Sequence, residues 1–339
     1  MVSCKKKKTG KENPLMPLVI GIAIALGATI LAAAAFAQKR KEDTTALQSV
    51  YAQPDSDTVT HQGKIYRYND HLSNFLFLGV DKKEEVKKQN ISGNGGQADA
   101  LYLLSRDRVK NTISVLAIPR DTITQIQVYD LHGNDLGKTE DHISLSYAYG
   151  DGMHKSCTLT RDAVSELLYG VPIQGYCALN IDAVPILADS VGGVTVTVPD
   201  DSLSGEAAGF VPGSQVTLNG ENAEFFVRYR DIEEDQSAIE RMERQKVFLK
   251  AYGQRLKEAY SGEPSIVGDI LSAIDPYMVT SIGNDQYLKM ADSYLTAGET
   301  ASYTVPGKGA REDGFDEYHV DEDALYEMVL EIFYEEVNE

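Results

Sequence analysis

Several residue types and motifs are rare or missing in this chain of 339 residues. It has no tryptophan, no internal repeat and no heptad array, which excludes solenoids and coiled coils. It also lacks a GxGxxG fingerprint and a P-loop, and no spacing indicates a Ser-His-Asp or Cys-His catalytic arrangement. The three cysteines have no histidine partners at ligand spacing, so they do not indicate zinc. Cys157 and Cys177 either form a disulfide or remain buried thiols.

Positive charge is also scarce outside the N-terminus. The chain holds 32 Lys and Arg against 51 Asp and Glu, for a net charge of -19. Residues 1–41 contain eight of the bases and one of the acids, which leaves 24 bases and 50 acids from Glu42 onward. So acidic a body repels the nucleic-acid backbone, and we predict no nucleic-acid partner. An anionic ligand therefore requires a local basic pocket or a bridging cation.

One long apolar run lies near the N-terminus. Leu18 to Ala37 carry no charge, and these twenty residues match a bilayer core of roughly 30 Å. The basic run KKKKTGK precedes the segment and KRK follows it. This pattern predicts a single-pass transmembrane helix in the cell membrane, with a cytoplasmic N-terminus and an extracellular body. The alternative is a cleaved secretory signal that ends near Ala35-Phe36-Ala37.

Past the apolar run, apolar patterns predict alternating strands and helices. Strands are predicted at 74–80, 101–105 and 112–118, and helices at 159–168, 183–190 and 238–259. The connector between the second and third strands is too short for a crossover helix, so these strands should be antiparallel neighbours. We predict an α/β fold, a three-layer α-β-α sandwich with a mixed central sheet, preceded by one transmembrane helix.

Arginines cluster in one segment of this acidic chain, residues 228–245, which read RYRDIEEDQSAIERMERQ. Arg228 and Arg230 lie two residues apart, and Arg241, Arg244 and Gln245 share one face of a predicted helix. Guanidinium groups are planar, forked and permanently charged, so they suit phosphate well. The alternative is a solvated helix face whose arginines pair with the neighbouring acids.

Polar residues also stand at the ends of three predicted strands. Asp81 ends the first strand, Asp99 begins the second, and Arg120 and Asp121 follow the third. If the strands are successively antiparallel, all four residues lie at one edge of the sheet. Two carboxylates with an arginine form a plausible site for Mg²⁺ and phosphate. The alternative is that these aspartates cap turns and that Arg120 pairs locally.

Seven segments in this order resemble the LytR-CpsA-Psr family of bacterial cell-envelope proteins. They are LFLGVD (76–81), QADALYLLS (97–105), VLAIPRDT (115–122), SYAYGDG (146–152), DSVGGVTVTVP (189–199), LNGENAEFFVRYR (218–230) and RMERQ (241–245). The resemblance runs from about residue 72 to 260, and together with the sequence patterns above it divides the chain into five segments. These are a cytoplasmic basic tail (1–17), a transmembrane helix (18–37), a juxtamembrane stalk (38–70), a catalytic domain (71–260) and a C-terminal α/β extension packed on the same domain (261–339).

The resemblance also implies a function, namely transfer of a glycopolymer from an undecaprenyl-pyrophosphate carrier to peptidoglycan outside the cytoplasmic membrane. It implies an apolar tunnel for the polyprenyl chain and a site with Mg²⁺ (or Mn²⁺) for the pyrophosphate. Site residues are carried over by position: Asp81 and Asp99 as metal ligands, Asp99, Arg120 and Asp235 as catalytic residues, and Arg120, Arg228, Arg230, Arg241 and Gln245 as pyrophosphate-binding residues.

Two positions depart from the family pattern. Gln97 stands where the family often has arginine, and His142 stands where it often has lysine. The loss of two positive charges leaves room for two other functions, a non-catalytic binder of lipid-linked glycans and a polyprenyl-pyrophosphate pyrophosphatase. Transcriptional regulation, an older association of the family name, conflicts with the acidic body and the predicted anchor.

Overall fold

The computed structural model describes residues 58–207, 209–231, 233–263, 265–283, 285–287, 289–290, 293, 300–312 and 314–337. The predicted cytoplasmic tail (1–17) and transmembrane helix (18–37) lie outside these residues. Within the described ranges, every helix is too short or too polar to cross a bilayer.

Fifteen strands and seven helices with complete bounds form the described fold. The strands are β1 (Thr58–His61), β2 (Lys64–Tyr68), β3 (Leu72–Val80), β4 (Ala98–Asp107), β5 (Thr112–Ile118), β6 (Ile123–Tyr129), β7 (Asp135–His142), β8 (Gly175–Asn180), β9 (Val194–Thr197), β10 (Gln215–Leu218), β11 (Met278–Thr280), β12 (Thr300–Thr304), β13 (Gly307–Glu312), β14 (Phe315–Val320) and β15 (Tyr334–Glu336). The helices are α1 (Leu145–Ala148), α2 (His154–Leu167), α3 (Ala183–Ser190), α4 (Ala223–Arg228), α5 (Ser237–Gly262), α6 (Ile266–Ile274) and α7 (Glu322–Phe333).

Six strands form the central sheet, in the order β11-β8-β3-β4-β5-β12. β3, β4 and β5 are successively antiparallel, as the short connector between the second and third strands predicted. β8 runs parallel to β3 and β12 runs parallel to β5, so the sheet is mixed. The prediction of a mixed α/β fold is confirmed. Both edge strands, β11 and β12, come from the segment after residue 260.

Side chains alternate between the two faces of the sheet, and helices cover each face. Phe75 and Phe77 of β3 belong to one apolar cluster, with residues of α3, α4, α5 and α6. Leu76 and Leu78 belong to the other, with residues of α1, α2 and α7. This period of two is what a strand buried on both faces produces. The two clusters hold the sheet edge in a fixed position.

The folded part begins earlier than the sequence predicted. β1 and β2, at 58–68, fall within the segment predicted as a stalk (38–70), yet β2 pairs with β15 near the C-terminus. The stalk prediction is therefore wrong for these residues. Their sequence is polar because the strands are mostly exposed, and their partner lies far along the chain.

Two hairpins and two cysteines complete the fold. β6 pairs with β7, and β13 pairs with β14, in regions where the sequence indicated no hairpin. Lys138 and His142 belong to β7. Cys157 and Cys177 are buried thiols without a disulfide among the described residues. They belong to the clusters on opposite faces of the sheet.

Candidate functional site

The ends of β3, β4 and β5 meet at one edge of the sheet, as predicted. Asp81 directly follows β3, and its backbone N–H donates to the carbonyl of Gln97 at 3.1 Å. Its Oδ1 accepts the Gln97 backbone N–H at 2.7 Å. A Cβ at Gly96, where φ is +86°, would lie 2.9 Å from that oxygen. Only glycine suits this turn, which holds the Asp81 carboxylate in place.

Asp99, in β4, receives two arginines from different parts of the chain. Arg120, just after β5, donates Nη1–H to Asp99 Oδ1. Arg241, in the first turns of α5, places Nη1 2.9 Å from Asp99 Oδ2. Arg120 also donates Nη2–H to Gln97 Oε1 at 2.6 Å and Nε–H to Asp121 at 3.0 Å. The predicted convergence of strand-edge acids and distant arginines is therefore seen.

The Arg241 guanidinium is the most buried charge of the cluster, with 4% of its side chain exposed. Its Nε and Nη2 atoms have no hydrogen-bond partner among the residues that the structure describes. Burial lowers the pKa of Arg241, and the positive charges of Arg120 and Arg230 lower it further, while Asp99 opposes them. Buried N–H groups without partners are costly, so this geometry favours an anion in the adjacent cleft.

Arg228 of the predicted arginine pair ends helix α4, and Arg230 follows two residues later. Arg228 places Nη1 3.2 Å from Glu224 Oε1, one turn earlier. Glu224 also accepts an ion pair from Lys83 at 2.9 Å. Arg230 lines the cleft and forms no ion pair with any carboxylate of the described ranges. The Glu224 carboxylate therefore balances two cations, Arg228 and Lys83.

Two neighbouring residues of α5 fix the backbone of this arginine pair. Arg244 is fully buried and donates Nε–H to the carbonyl of Phe226 at 3.1 Å, and its Nη2 donates to the carbonyl of Tyr229. Gln245 donates to the carbonyl of Val227 at 3.1 Å. Spacing alone placed these residues on the same face as Arg241. Their hydrogen bonds go to α4 instead, so they position Arg228 and Arg230.

Asp235, predicted as a catalytic residue, is not brought into this cluster. Its side chain is 69% exposed and pairs with Arg311 of β13 at 2.6 Å. The residues that line the two cavities described below do not include Asp235. Sequence reasoning could not foresee this, because the partner lies on a hairpin distant in sequence.

The two departures from the family pattern have different surroundings. Gln97 lines the cleft and accepts a hydrogen bond from Arg120, as described. His142 does not line either described cavity. Its Nδ1 lies 3.0 Å from Asp141 Oδ1, and its Nε2 lies 2.8 Å from the carbonyl of Asp316 in β14. Burial alone lowers the pKa of His142, but these hydrogen bonds and the Asp121 charge raise it overall.

Two cavities meet at the cluster. The first has a volume of about 140 Å³ and is almost entirely apolar, with Tyr102, Leu179, Val184, Phe248 and Tyr252 among its walls. The second is a polar cleft of about 620 Å³. Its walls include both predicted acids and the arginines Arg120, Arg228, Arg230 and Arg241. Both cavities are lined by Asp81, Asp99 and Arg228. A ligand with a long apolar tail and an anionic head fits this pair.

Comparison with known proteins identifies a family and several relatives of this chain. The profile of the LytR_cpsA_psr family matches residues 32–332. The polyisoprenyl-teichoic acid–peptidoglycan teichoic acid transferase TagU of Bacillus subtilis (strain 168) is 27% identical over 259 residues, 76% of each chain. TagU of Bacillus mycoides (strain KBAB4) is 30% identical over 256 residues, 75% of each chain.

Solved structures share the fold. The crystal structure of B. subtilis TagU gives a TM-score of 0.52 at 24% identity and covers 77% of this chain and 95% of its own. A structure of TagT bound to LI-WTA gives a TM-score of 0.57 at 21% identity and covers 78% of this chain and 90% of its own. With a family profile that spans most of the sequence, the chain belongs to the LytR_cpsA_psr family.

Proposed function

We propose that this protein transfers a glycopolymer from a polyprenyl-diphosphate carrier to peptidoglycan and forms a phosphodiester. One observation carries the proposal: the apolar cavity opens onto the arginine-lined cleft, and the two share Asp81, Asp99 and Arg228. The names of the TagU relatives, which describe teichoic acid transfer to peptidoglycan, support the same reaction. The B. subtilis relative aligns with 76% of this chain.

The cleft would stabilise negative charge on the diphosphate as the reaction proceeds. An acceptor hydroxyl attacks the phosphorus next to the glycan, the P–O–P bridge breaks, and polyprenyl phosphate leaves. Arg120, Arg228, Arg230 and Arg241 line the cleft and would hold the oxygens that gain charge. Arg241 has two buried nitrogen atoms that lack partners among the described residues, so it is ready to bind phosphate oxygens without first losing a protein contact.

The proton of the acceptor hydroxyl needs a route to the leaving phosphate. Asp99 is the carboxylate that lines both cavities and contacts two of the arginines. We assign it the role of guiding this proton and of orienting Arg120 and Arg241. Asp235 has no part in the proposal, because it lies outside the cleft and pairs with Arg311.

A divalent cation, Mg²⁺ or Mn²⁺, is part of the proposal, and the carboxylates suit it. Asp81 engages one oxygen with the Gln97 N–H, and its Oδ2 has no hydrogen bond within the described part of the chain. Asp99 would share its oxygens between the ion and the arginines. Hard oxygen ligands of this kind suit Mg²⁺, which takes few protein carboxylates and fills its shell with phosphate and water. When bound, the ion would neutralise diphosphate charge.

The proposed location follows from the apolar segment at 18–37. A helix there would anchor the protein in the cell membrane and hold the acidic domain at the outer face. The apolar cavity would then receive the polyprenyl chain of a carrier in the same membrane.

A reconstituted reaction tests the function. Full-length protein in detergent is supplied with a prenyl-diphosphate-linked glycan, peptidoglycan and Mg²⁺, and released prenyl phosphate and peptidoglycan-bound glycan are both measured. Arg120→Ala should lower the transfer rate by at least about 100-fold, as for loss of a group that stabilises transition-state charge. Arg255→Ala, a more exposed arginine that pairs with Glu258, is the matched control and should retain activity.

The products separate the alternatives. Release of prenyl phosphate that does not require peptidoglycan would indicate a pyrophosphatase. Binding of the lipid-linked glycan without turnover, with or without metal, would indicate a non-catalytic binder. Wild-type transfer rates in Arg120→Ala would remove the cleft from the proposal.

A further inference from the structure

Two aromatic side chains line the polar cleft beside the arginine pair. Phe225 and Tyr229 both belong to its walls. Their ring centroids lie 5.1 Å apart with planes tilted by 36°. They are one helical turn apart, or about 6 Å along the axis, which is close to the width of a pyranose ring. Neither residue has a role in the binding of phosphate described above.

Contacts behind the rings hold them in place. Phe225 packs against Phe210 with centroids 5.8 Å apart, and Phe210 is almost fully buried. The Glu206 carboxylate lies close to the Tyr229 hydroxyl. The Tyr229 backbone carbonyl is held by Arg244. The pair is therefore a fixed surface, which lowers the entropy cost of binding a ligand on it.

Charge is unevenly distributed over the walls of the cleft. Arg120 and Arg241 lie on the wall formed by the sheet edge and α5, whereas the segment around α4 carries Glu221 and Glu224 beside the aromatic rings, together with the arginine pair. The Glu221 carboxylate has no hydrogen-bond partner within the described ranges and is exposed. Glu224 is neutralised by its two ion pairs described above, so Glu221 is the carboxylate of this wall that repels phosphate most strongly. The space beside Glu221 and the aromatic rings suits a neutral group rich in hydroxyls.

The cleft is also larger than a diphosphate requires. Its volume of about 620 Å³ lies in the range of sites that hold a whole small molecule, about 300–1000 Å³. A pyranose presents C–H groups on its faces, and these pack on aromatic rings and leave water. Its hydroxyl groups donate hydrogen bonds to carboxylates.

We infer that Phe225 and Tyr229 form a sugar-binding subsite, with Glu221 as an acceptor for sugar hydroxyls. The inference rests on the proposed function, and it deepens that function by assigning a second ligand class to the cleft. The sugar comes either from the glycan attached to the diphosphate or from the peptidoglycan acceptor. Tyr229 lies between Arg228 and Arg230 in sequence, so a sugar bound there adjoins the phosphate-binding residues.

Binding measurements on full-length protein in detergent test the subsite. Three probes are used: a C15 prenyl diphosphate, the same molecule carrying one hexopyranose, and a soluble peptidoglycan oligosaccharide. Phe225→Ala/Tyr229→Ala should bind one sugar-bearing probe about tenfold more weakly than wild type, since both rings that pack on the sugar are removed. The sugar-free prenyl diphosphate should bind both proteins equally. Tyr229→Phe keeps the ring and should restore sugar affinity.

The pattern of affinities for the three probes supports or overturns the sugar-binding subsite. Weaker binding of the sugar-bearing prenyl diphosphate alone assigns the subsite to the donor glycan, and weaker binding of the oligosaccharide alone assigns it to the acceptor. Unchanged affinity for every probe overturns the subsite, and so does an equal loss for the sugar-free probe, which would indicate a structural role. If wild-type protein fails to bind the sugar-free prenyl diphosphate, the proposed function fails first and the subsite with it.

Discussion

Arg241 pairs with Asp99 through Nη1 and Oδ2, which lie 2.9 Å apart, and thereby joins helix α5 to strand β4. The other oxygen of the same carboxylate is held by Arg120. One aspartate thus fixes two guanidinium groups that line the cleft. The pairing explains how an acidic protein keeps a positively charged pocket, because each arginine is neutralised only in part.

Replacing this aspartate should reduce stability as well as activity. Asp99→Asn leaves the buried Arg241 without a carboxylate partner, and we expect the free energy of unfolding to fall by about 3 kcal/mol. Urea denaturation measures the change. Asp235→Asn is the matched control, since its exposed pair with Arg311 should contribute less than about 1 kcal/mol. Equal losses in the two variants would contradict the structural role of Asp99.

Replacement of Arg241, the partner of Asp99, should reduce stability less than replacement of Asp99. Arg241→Met removes a buried charge together with two nitrogen atoms that lack partners in the described structure. Asp99 keeps its hydrogen bond from Arg120. We expect its stability to stay within about 1 kcal/mol of wild type, because an apolar side chain fills the same space without a desolvation cost. Affinity for inorganic diphosphate, measured by calorimetry, should fall at least about tenfold. A large loss of stability with unchanged affinity would assign Arg241 a purely structural role.

Arg244 should affect ligand binding from a distance. Arg244→Met deprives the carbonyls of Phe226 and Tyr229 of their donor, so we expect a loss of about 3 kcal/mol in stability. Diphosphate affinity should also fall, although Arg244 lines neither described cavity, because Arg228 and Arg230 lose their fixed backbone. Arg244→Lys should recover part of the affinity. Arg255→Met, a more exposed change on the same helix, should leave affinity unaltered.

The sequence predicted the parts of the site that depend on neighbouring strands. A short connector makes β4 and β5 antiparallel, and this alone places Asp99 and Arg120 at one edge. Residues on one helix face were harder to separate. Arg241 and Arg244 are three positions apart, yet the first turns to the cleft and the second to the backbone of α4. Their difference depends on where α4 packs, which local spacing does not encode.

The sequence did not reveal features that depend on a partner far away in the chain. The hairpin of β6 and β7 is largely exposed and polar, so its sequence lacks the apolar alternation that reveals a strand. β2 is recognisable only through its pairing with β15. Asp235 looked like a site residue by its place in the chain, but Arg311 of β13 captures it at the surface.

His142 should make stability depend on pH. Its pKa is raised above the ordinary histidine value of 6.5, although burial opposes this, because the ring bonds to Asp141 and to the carbonyl of Asp316. A raised pKa in the folded state means that the contribution to stability is complete below pH 6.5 and is lost as pH rises through the folded pKa. His142→Gln should flatten the fall in stability above pH 6.5, as measured by thermal melts across pH. An unchanged slope would show that other groups cause it.

Filling the apolar cavity should separate tail binding from head binding. Val184 of α3 is half-buried and lines the cavity, which has a volume of about 140 Å³. Val184→Phe places a larger apolar side chain there at little cost, since the space is open rather than packed. Affinity for a C15 prenyl diphosphate should fall at least about tenfold, because buried chain carbons contribute about 0.8 kcal/mol each. Affinity for inorganic diphosphate, which needs only the arginines, should remain that of wild type and serves as the internal control. Loss of both affinities would mean that the substitution disturbs the cleft, and loss of neither would mean that the tail binds elsewhere.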